Sequence, residues 1–233
     1  MSLLKKNIDE VTERIKQKCL DSDRNISEIT LVTVSKLNHV EAIKEAVALG
    51  LSDFGENKAQ ELKQKFDQFS GNINWHFIGH LQSNKVKDVV PLCHLIHSVD
   101  SIKLANEINK RAANNEKIQK ILLEVKTSDE ESKYGIQNFE ELLKLTEHCE
   151  SLSNIKLLGL MTMAPYTDDE SVIRKSFKKL AKFKDDLENK GFPLEHLSMG
   201  MTSDFEIAIE EGATILRIGT AIFGERDYKR NNN

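Results

Sequence analysis

Apolar residues recur along the chain in two alternating patterns. Leu4, Ile8, Val11 and Ile15 lie on one stripe at helical spacing, which predicts a leading amphipathic helix over residues 3–19. After this helix, short apolar runs typical of strands alternate with longer stretches typical of amphipathic helices. The strand-like runs end at Val34, Phe54, Ile78, Val99, Val125, Leu160, Leu197 and Ile218. The pattern therefore predicts eight strands, and each except the last precedes a helix.

The helices that follow the strands are predicted at residues 39–49, 57–69, 84–90, 101–113, 139–149, 171–189 and 203–210. Three of them have a capping side chain three residues before a carboxylate, which is typical of a helix start. The pairs are Asn138 with Glu141, Thr167 with Glu170, and Ser203 with Glu206. Glycine favours the residue after a helix. Helix ends are predicted at Gly50, Gly191 and Gly212.

Eight strands alternating with helices predict a single (β/α)8 TIM barrel, preceded by the extra N-terminal helix. Each parallel crossover needs a helix to return the chain, and about 230 residues is a typical length for this fold. The alternative is an open, doubly wound sheet. The barrel is favoured because no GxGxxG follows the first strand and no Pro/Ser-rich linker divides the chain. We therefore expect residues 1–233 to form one domain.

Composition argues against several classes of protein. The 233 residues carry a formal charge of -4 at pH 7, which argues against nucleic acid or an anionic membrane as a partner. The apolar runs are far shorter than the roughly 20 residues of a membrane helix, and the first residues lead into no signal-peptide core. Cys19, Cys93 and Cys149 are odd in number and widely spaced, which predicts reduced thiols and a cytoplasmic protein.

Ligands of such barrels bind at the carboxyl ends of the strands, and Lys36 follows the first strand directly. Burial lowers the pKa of a lysine, and the neutral amine can attack a carbonyl to form a Schiff base. The alternative is an ion pair with a phosphate or a carboxylate. Glu56, at the end of the second strand, is expected to pair with Lys36 or Arg217.

Two further loops have the chemistry of a phosphate site. Residues 198–204 lead from the seventh strand into a helix, and residues 217–220 close the eighth strand. Phosphate in these barrels usually binds at these two loops, where glycine admits the backbone and a helix N-terminus supplies amide donors. Gly200 and Gly219 could instead simply form tight turns. Together with Lys36, the loops predict a site for a phosphorylated aldehyde, of which pyridoxal 5′-phosphate (PLP) is the obvious case.

Seven motifs, in order, resemble those of the pyridoxal phosphate homeostasis proteins. They are VSK at 34–36, FGEN at 54–57, WHFIGHLQ at 75–82, ESKYG at 131–135, GLMT at 159–162, LSMGM at 197–201 and RIGTAIFG at 217–224. The resemblance implies a barrel like the N-terminal domain of bacterial alanine racemase. It also implies PLP as the cofactor, held as a Schiff base on Lys36.

The resemblance assigns further residues to the cofactor. It implies that Ser198, Thr202 and the backbone of Gly219 and Thr220 hold the phosphate, that Arg217 faces the pyridine nitrogen, and that Asn57 and Met199 line the cofactor. Two positions depart from the family pattern. Lys126 stands where asparagine is usual, which leaves the role of this second amine open, and Thr202 stands where serine is common.

Three functions remain open at this point. One of them is a phosphate-binding barrel for a sugar phosphate, in which Lys36 is only a counter-ion. The favoured function is a non-enzymatic carrier and buffer of PLP in vitamin B6 homeostasis, monomeric, that releases the cofactor to apo-enzymes. The alternative is an amino-acid racemase with Lys36 as base. A racemase needs a second acid or base, and the resemblance implies that this is a tyrosine from a separate domain. The tyrosines here are Tyr134, Tyr166 and Tyr228.

The other unusual residues are expected to be structural. His94 and His97 on a strand point to opposite faces, so no metal site is predicted. His76 is expected to be a hydrogen-bonded core histidine, and Trp75 to pack in the core. The basic residues between 174 and 184 share a helix with apolar ones, which is typical of a solvated helix face.

Overall fold

The computed structural model describes residues 1–69, 73–128 and 134–225. In these residues eight parallel strands pair in sequence order and close into a barrel, because the last strand pairs with the first. The closing pair joins Thr30 to Ile215 and Thr33 to Ile218. The predicted (β/α)8 barrel with an N-terminal helix is confirmed.

The strands of the described residues are β1 Thr30–Val34, β2 Asp53–Glu56, β3 Asn74–Phe77, β4 Leu95–Val99, β5 Gln119–Glu124, β6 Ile155–Met161, β7 His196–Ser198 and β8 Ile215–Ile218. The helices are α1 Leu3–Asp21, α2 Val40–Ala48, α3 Ala59–Phe66, α4 Val86–Val89, α5 Ile102–Asn114, α6 Phe139–Glu150, α7 Glu170–Glu188, α8 Phe205–Glu210 and α9 Thr220–Phe223. Every predicted strand and helix is present. Within the described ranges, no helix combines the length and the hydrophobicity needed to cross a bilayer.

Two of the three predicted helix starts are wrong in detail. The start of α6 is confirmed, because the Asn138 side chain accepts a hydrogen bond from Glu141 N. The cap of α7 is Asp169 rather than Thr167, since the Asp169 carboxylate accepts from Ser171 N. Thr167 accepts from Asp169 N and thereby shapes the loop before the cap.

The start of α8 also differs from the prediction. Its N-cap is Asp204 rather than Ser203, and the Asp204 carboxylate accepts from Met201 N. This carboxylate therefore stabilises the loop before the helix. The predicted helix ends are confirmed by positive φ angles of 97°, 91° and 90° at Gly50, Gly191 and Gly212.

The apolar residues form two cores, one on each face of the closed sheet. The smaller core fills the barrel interior and consists of Val32, Leu95, Leu122, Leu158, Met161 and Ile215. The larger core lies between the sheet and the helices, and it includes the buried stripe of α1, which packs against α8 and α9. Trp75, 2% exposed, belongs to this outer core as predicted, and the three cysteines are free and buried.

Candidate functional site

The carboxyl ends of the strands surround a cavity of about 550 Å³. Lys36 enters it from the turn after β1, Asn57 from the loop after β2, and Arg217 from β8. Among the described residues, the lining consists of Val34, Lys36, Asn57, Ile78, Gly79, His80, Glu124, Tyr134, Met163, Tyr166, Met201, Thr202, Ser203, Arg217, Gly219 and Thr220. The cavity is thus where ligands of this fold bind.

Most of the predicted binding residues meet in this cavity, but Ser198 and Met199 do not line it. Both are fully buried. The Ser198 hydroxyl lies inside the barrel, where it contacts Arg217 and His97, and Met199 packs in the outer core. The residues that do line the cavity are Lys36, Asn57, Thr202, Arg217, Gly219 and Thr220.

A chain of four hydrogen bonds runs from Arg217 through the barrel interior to Asp53. Arg217 Nη1 donates to Ser198 Oγ at 2.6 Å, and Ser198 Oγ lies 2.9 Å from His97 Nδ1. His97 Nε2 lies 2.9 Å from His76 Nδ1, and His76 Nε2 lies 3.0 Å from Asp53 Oδ1. We call these five residues the polar chain. It confirms that His76 is a hydrogen-bonded core histidine, and it extends from the cavity to the start of β2.

The two ends of the polar chain fix the direction of its terminal bonds. A guanidinium only donates hydrogen bonds and a carboxylate only accepts them, so Arg217 donates to Ser198 and His76 Nε2 donates to Asp53. Burial lowers the pKa of His97 well below its ordinary value, and the neighbouring His76 and Arg217 act in the same direction. His97 is therefore a neutral imidazole, which donates from one ring nitrogen and accepts at the other.

Arg217 is a fixed cation in the cavity wall. Its side chain is buried, and besides the bond to Ser198 its Nη2 donates to the Thr162 carbonyl at 2.8 Å. Burial lowers its pKa to about 10, while Asp204 and Glu124 act in the opposite direction. The guanidinium therefore stays charged at neutral pH. Because two protein acceptors hold it, a ligand need not order this side chain when it binds.

The loops after β7 and β8 meet at the cavity wall next to β1, because β8 pairs with β1. Gly200 has a φ of 95°, and a Cβ there would lie 2.7 Å from Ala208 Cβ, so both backbone angle and space require glycine. Thr202 Oγ1 accepts from Ala221 N in the first turn of α9 at 3.3 Å, which joins the two loops. Thr202, Gly219 and Thr220 thereby line the same cavity as Lys36, and a hydroxyl and loop backbone of this kind are typical of an anion site.

Glu56 pairs with Lys65, so the prediction of Lys36 or Arg217 as its partner was wrong. Gly55 faces the barrel interior, because a Cβ there would meet Val32, and the adjacent Glu56 consequently faces outward toward α3. Glu56 Oε1 lies 2.7 Å from Lys65 Nζ. Burial raises the pKa of Glu56, and the Lys65 ammonium acts against this. The prediction considered strand ends alone, whereas Lys65 lies on a helix.

Glu124 is a cavity residue that the sequence interpretation missed. It ends β5, is 4% exposed, and its Oε2 is buried and has no hydrogen-bond partner. Burial raises its pKa to about 7, the Asp100 carboxylate adds to the rise, and the Arg217 cation opposes it. Glu124 therefore changes its charge near neutral pH.

Replacing Glu124 with glutamine is expected to remove a pH-dependent loss of stability. The unfolded carboxyl titrates near 4.5 and the folded one near 7, so the unfolded state loses its proton first as pH rises. The wild type should therefore lose stability between about pH 5 and 7, and Glu124→Gln should be more stable at pH 8 by on the order of 1–3 kcal/mol.

Urea unfolding at pH 5 and pH 8 measures this difference. The exposed Glu10 supplies the matched control, since Glu10→Gln should change stability little at either pH. Equal pH dependence in the wild type and Glu124→Gln would contradict the assignment.

Aromatic residues lie at the rim of the cavity. Tyr134 stacks on His80 with ring centroids 3.8 Å apart and is 56% exposed, and Tyr166 is 97% exposed. Tyr228 lies outside the described residues. Among residues 1–69, 73–128 and 134–225, no cluster of three metal-ligating side chains occurs. Lys126 follows β5 but does not line the cavity.

Comparison with known proteins identifies the class of this site. A family model described as alanine racemase, N-terminal domain, matches residues 5–227. The alanine racemase of Clostridium difficile has a TM-score of 0.78 at 16% identity, over 97% of this chain and 57% of that chain, which shows the fold alone. Fold and site together define a barrel of the alanine racemase N-terminal type.

More similar relatives identify the family. The pyridoxal phosphate homeostasis protein of Aquifex aeolicus is 44% identical over 223 residues, covering 95% of this chain and 97% of that protein. The structure of PipY from Synechococcus elongatus with PLP bound is 33% identical, has a TM-score of 0.81, and covers 92% of this chain and 100% of that chain. This chain belongs to the pyridoxal phosphate homeostasis protein family.

Proposed function

We propose that this chain is a carrier and buffer of PLP that holds the cofactor on Lys36 and has no catalytic activity of its own. The observation that carries the proposal is the placement of Lys36 in the lining of the same cavity as Thr202, Gly219 and Thr220. An amine and an anion site in one cavity suit a phosphorylated aldehyde. PLP is bound in the structure of PipY, a relative that covers 92% of this chain.

Different cavity residues would contact different parts of PLP. The hydroxyl of Thr202 and the backbone of Gly219 and Thr220 would hold the phosphate, and Arg217 would face the pyridine nitrogen, with Asn57 beside the ring. Ser198 would act through Arg217, because its hydroxyl holds the guanidinium. Bound PLP supplies an aldehyde that the Lys36 amine captures as a Schiff base with release of one water.

The carrier is favoured over the racemase by the surroundings of the ring. The positive charge of Arg217 would disfavour protonation of the pyridine nitrogen of PLP, so the pyridine ring would be a weak electron sink. Among the described tyrosines, Tyr134 and Tyr166 lie on the exposed rim, not on a buried wall facing Lys36. Neither described tyrosine is therefore placed as the second acid or base that a racemase of this type needs.

Two measurements on the purified protein test the function. Borohydride reduction after incubation with PLP should fix one pyridoxyl group on Lys36, located by peptide mass analysis. The loaded protein should pass PLP to an added apo-enzyme and should not racemise alanine, serine or lysine. Racemisation that disappears in Lys36→Ala would establish the enzymatic alternative, and absence of any adduct would favour a sugar phosphate with Lys36 as a counter-ion.

The proposal extends to the setting in which the protein works. It is taken to act as a monomer in the cytoplasm, as one PLP-binding domain over residues 1–233, with transient contact to apo-enzymes. Gel filtration of the loaded protein with and without an apo-enzyme tests the monomer and the contact together.

A further inference from the structure

A buried ionic cluster lies directly behind the Lys36 turn, on the outer side of the sheet. Its centre is Lys65 of α3, whose side chain is 6% exposed. Lys65 Nζ donates to three acceptors, each at 2.7 Å: the Glu56 carboxylate, the Glu61 carboxylate and the Ser35 carbonyl. An ammonium has three protons, so this one is fully used.

The cluster holds the backbone on both sides of Lys36. The Ser35 carbonyl, bound by Lys65, belongs to the peptide group that precedes Lys36. The Leu37 N–H belongs to the peptide group that follows it, and this N–H donates to Glu61 Oε1. A third contact anchors the same segment, because Ser35 Oγ donates to Glu56 Oε1 at 2.6 Å.

The segment held in this way has an unfavourable backbone. Ser35 O accepts from Asn38 N at 3.0 Å, so Lys36 and Leu37 are the two central residues of a turn. Leu37 has a φ of 64°, in the left-handed region that leucine rarely adopts. A conformation of this kind persists only when surrounding contacts determine it. The bond from Leu37 N–H to Glu61 is such a contact.

We propose that Lys65, Glu56 and Glu61 form a clamp that positions Lys36 for its reaction with PLP. The inference rests on the proposed function and assigns a positioning role to three residues outside the cavity lining. The clamp fixes the two peptide groups beside Lys36, so the amine enters the cavity from a defined backbone. Without the clamp, the turn can relax toward negative φ at Leu37, and the amine then meets the aldehyde less often in a reactive geometry.

Lys65→Met tests the clamp by removing its central ammonium. The rate at which a borohydride-reducible PLP adduct forms on Lys36 should fall about ten- to hundredfold, because small misplacement of a reacting group has effects of this size. Pyridoxine 5′-phosphate has the phosphate but no aldehyde. The affinity of Lys65→Met for this compound should stay within about twofold of wild type, because the phosphate loops are separate from the clamp. General loosening of the fold would instead weaken both.

Lys117→Met is the matched control. Lys117 is another partly buried lysine that donates to two carbonyls, Val90 O at 2.9 Å and Cys93 O at 2.8 Å, and it has no contact with the Lys36 turn. It should lose stability without slowing adduct formation. If Lys65→Met does not fold, Glu61→Ala takes its place, since Glu61 lies nearer the surface and its removal frees Leu37 N–H.

The outcomes separate the clamp from the proposed function. If the wild type itself forms no adduct on Lys36, the proposed function fails. If the wild type forms the adduct and Lys65→Met or Glu61→Ala forms it at the same rate, the clamp is refuted and the function stands. A slowed adduct with unchanged pyridoxine 5′-phosphate binding supports the clamp.

Discussion

Lys36→Ala is expected to abolish covalent capture of PLP completely. The methyl group that remains cannot attack an aldehyde, and Lys36 is the lysine that lines the cavity in the described part of the chain. After incubation with PLP and reduction with borohydride, the variant should carry no pyridoxyl group, whereas the wild type should carry one. Intact-protein mass analysis measures the difference directly. Binding of pyridoxine 5′-phosphate should persist, because the phosphate loops and Arg217 are unchanged.

Lys126→Ala is the matched control for this experiment. Lys126 also follows a strand, yet it does not line the cavity. Its backbone carbonyl accepts a hydrogen bond from Lys179 of α7. This variant should retain the full adduct. If the adduct instead vanished in Lys126→Ala and survived in Lys36→Ala, our assignment of Lys36 as the attachment site would be wrong.

Gly159→Ala is expected to be the most damaging single methyl substitution in the barrel. A Cβ at Gly159 would lie 2.0 Å from the carbonyl oxygen of His196, its partner in the pairing of β6 with β7. Neither backbone can withdraw without breaking that pairing, so we expect a loss of more than about 4 kcal/mol in the free energy of unfolding. Urea unfolding followed by circular dichroism measures the loss, and failure to fold satisfies the same expectation.

Gly191→Ala provides a comparison in which space is not limiting. Gly191 has a φ of 91°, but a Cβ there would have no atom within 4 Å. Only backbone strain opposes the substitution, and we expect a loss of about 1 kcal/mol. Similar losses in the two variants would show that the contact at Gly159 is relieved by movement of the strands.

The fold could be predicted because several strands of this parallel barrel are buried and apolar on both faces. Strands such as Ile155–Met161 therefore appear as separate apolar runs, and these runs alternate with amphipathic helices. Helix starts were less predictable. Asp169 and Thr167 both lie near the start of α7 with suitable side chains, and the path of the loop decides which one caps the helix.

The site was predictable where residues follow strands and less so where they lie within them. Lys36, Asn57 and Gly219 stand just beyond strand ends, so their place in the cavity follows from topology. Glu124 and His97 lie inside predicted strands, and their inward direction depends on register. A signal was present, since His97 alternates in step with Leu95, an interior residue.

Lys65 could not have been found from the pattern. Its helix carries several lysines, and Lys63 and Lys65 both lie in the last turn of α3. Only the packing of α3 against β2 shows that one of them is enclosed with Glu56 while solvent surrounds the other. Such pairings depend on helix rotation, which a hydropathy pattern defines too coarsely to resolve single residues.

The closing pair β1 and β8 gives the site an unusual dependence on chain completion. Lys36 follows the first strand, Gly219 follows the last, and 183 positions separate them along the polypeptide. A chain that still lacks its final strand has Lys36 and the loop after β7 but neither Arg217 nor the loop after β8. The proposed capture of PLP should therefore require that β8 has paired with β1, so its absorbance would mark closure of the barrel during folding.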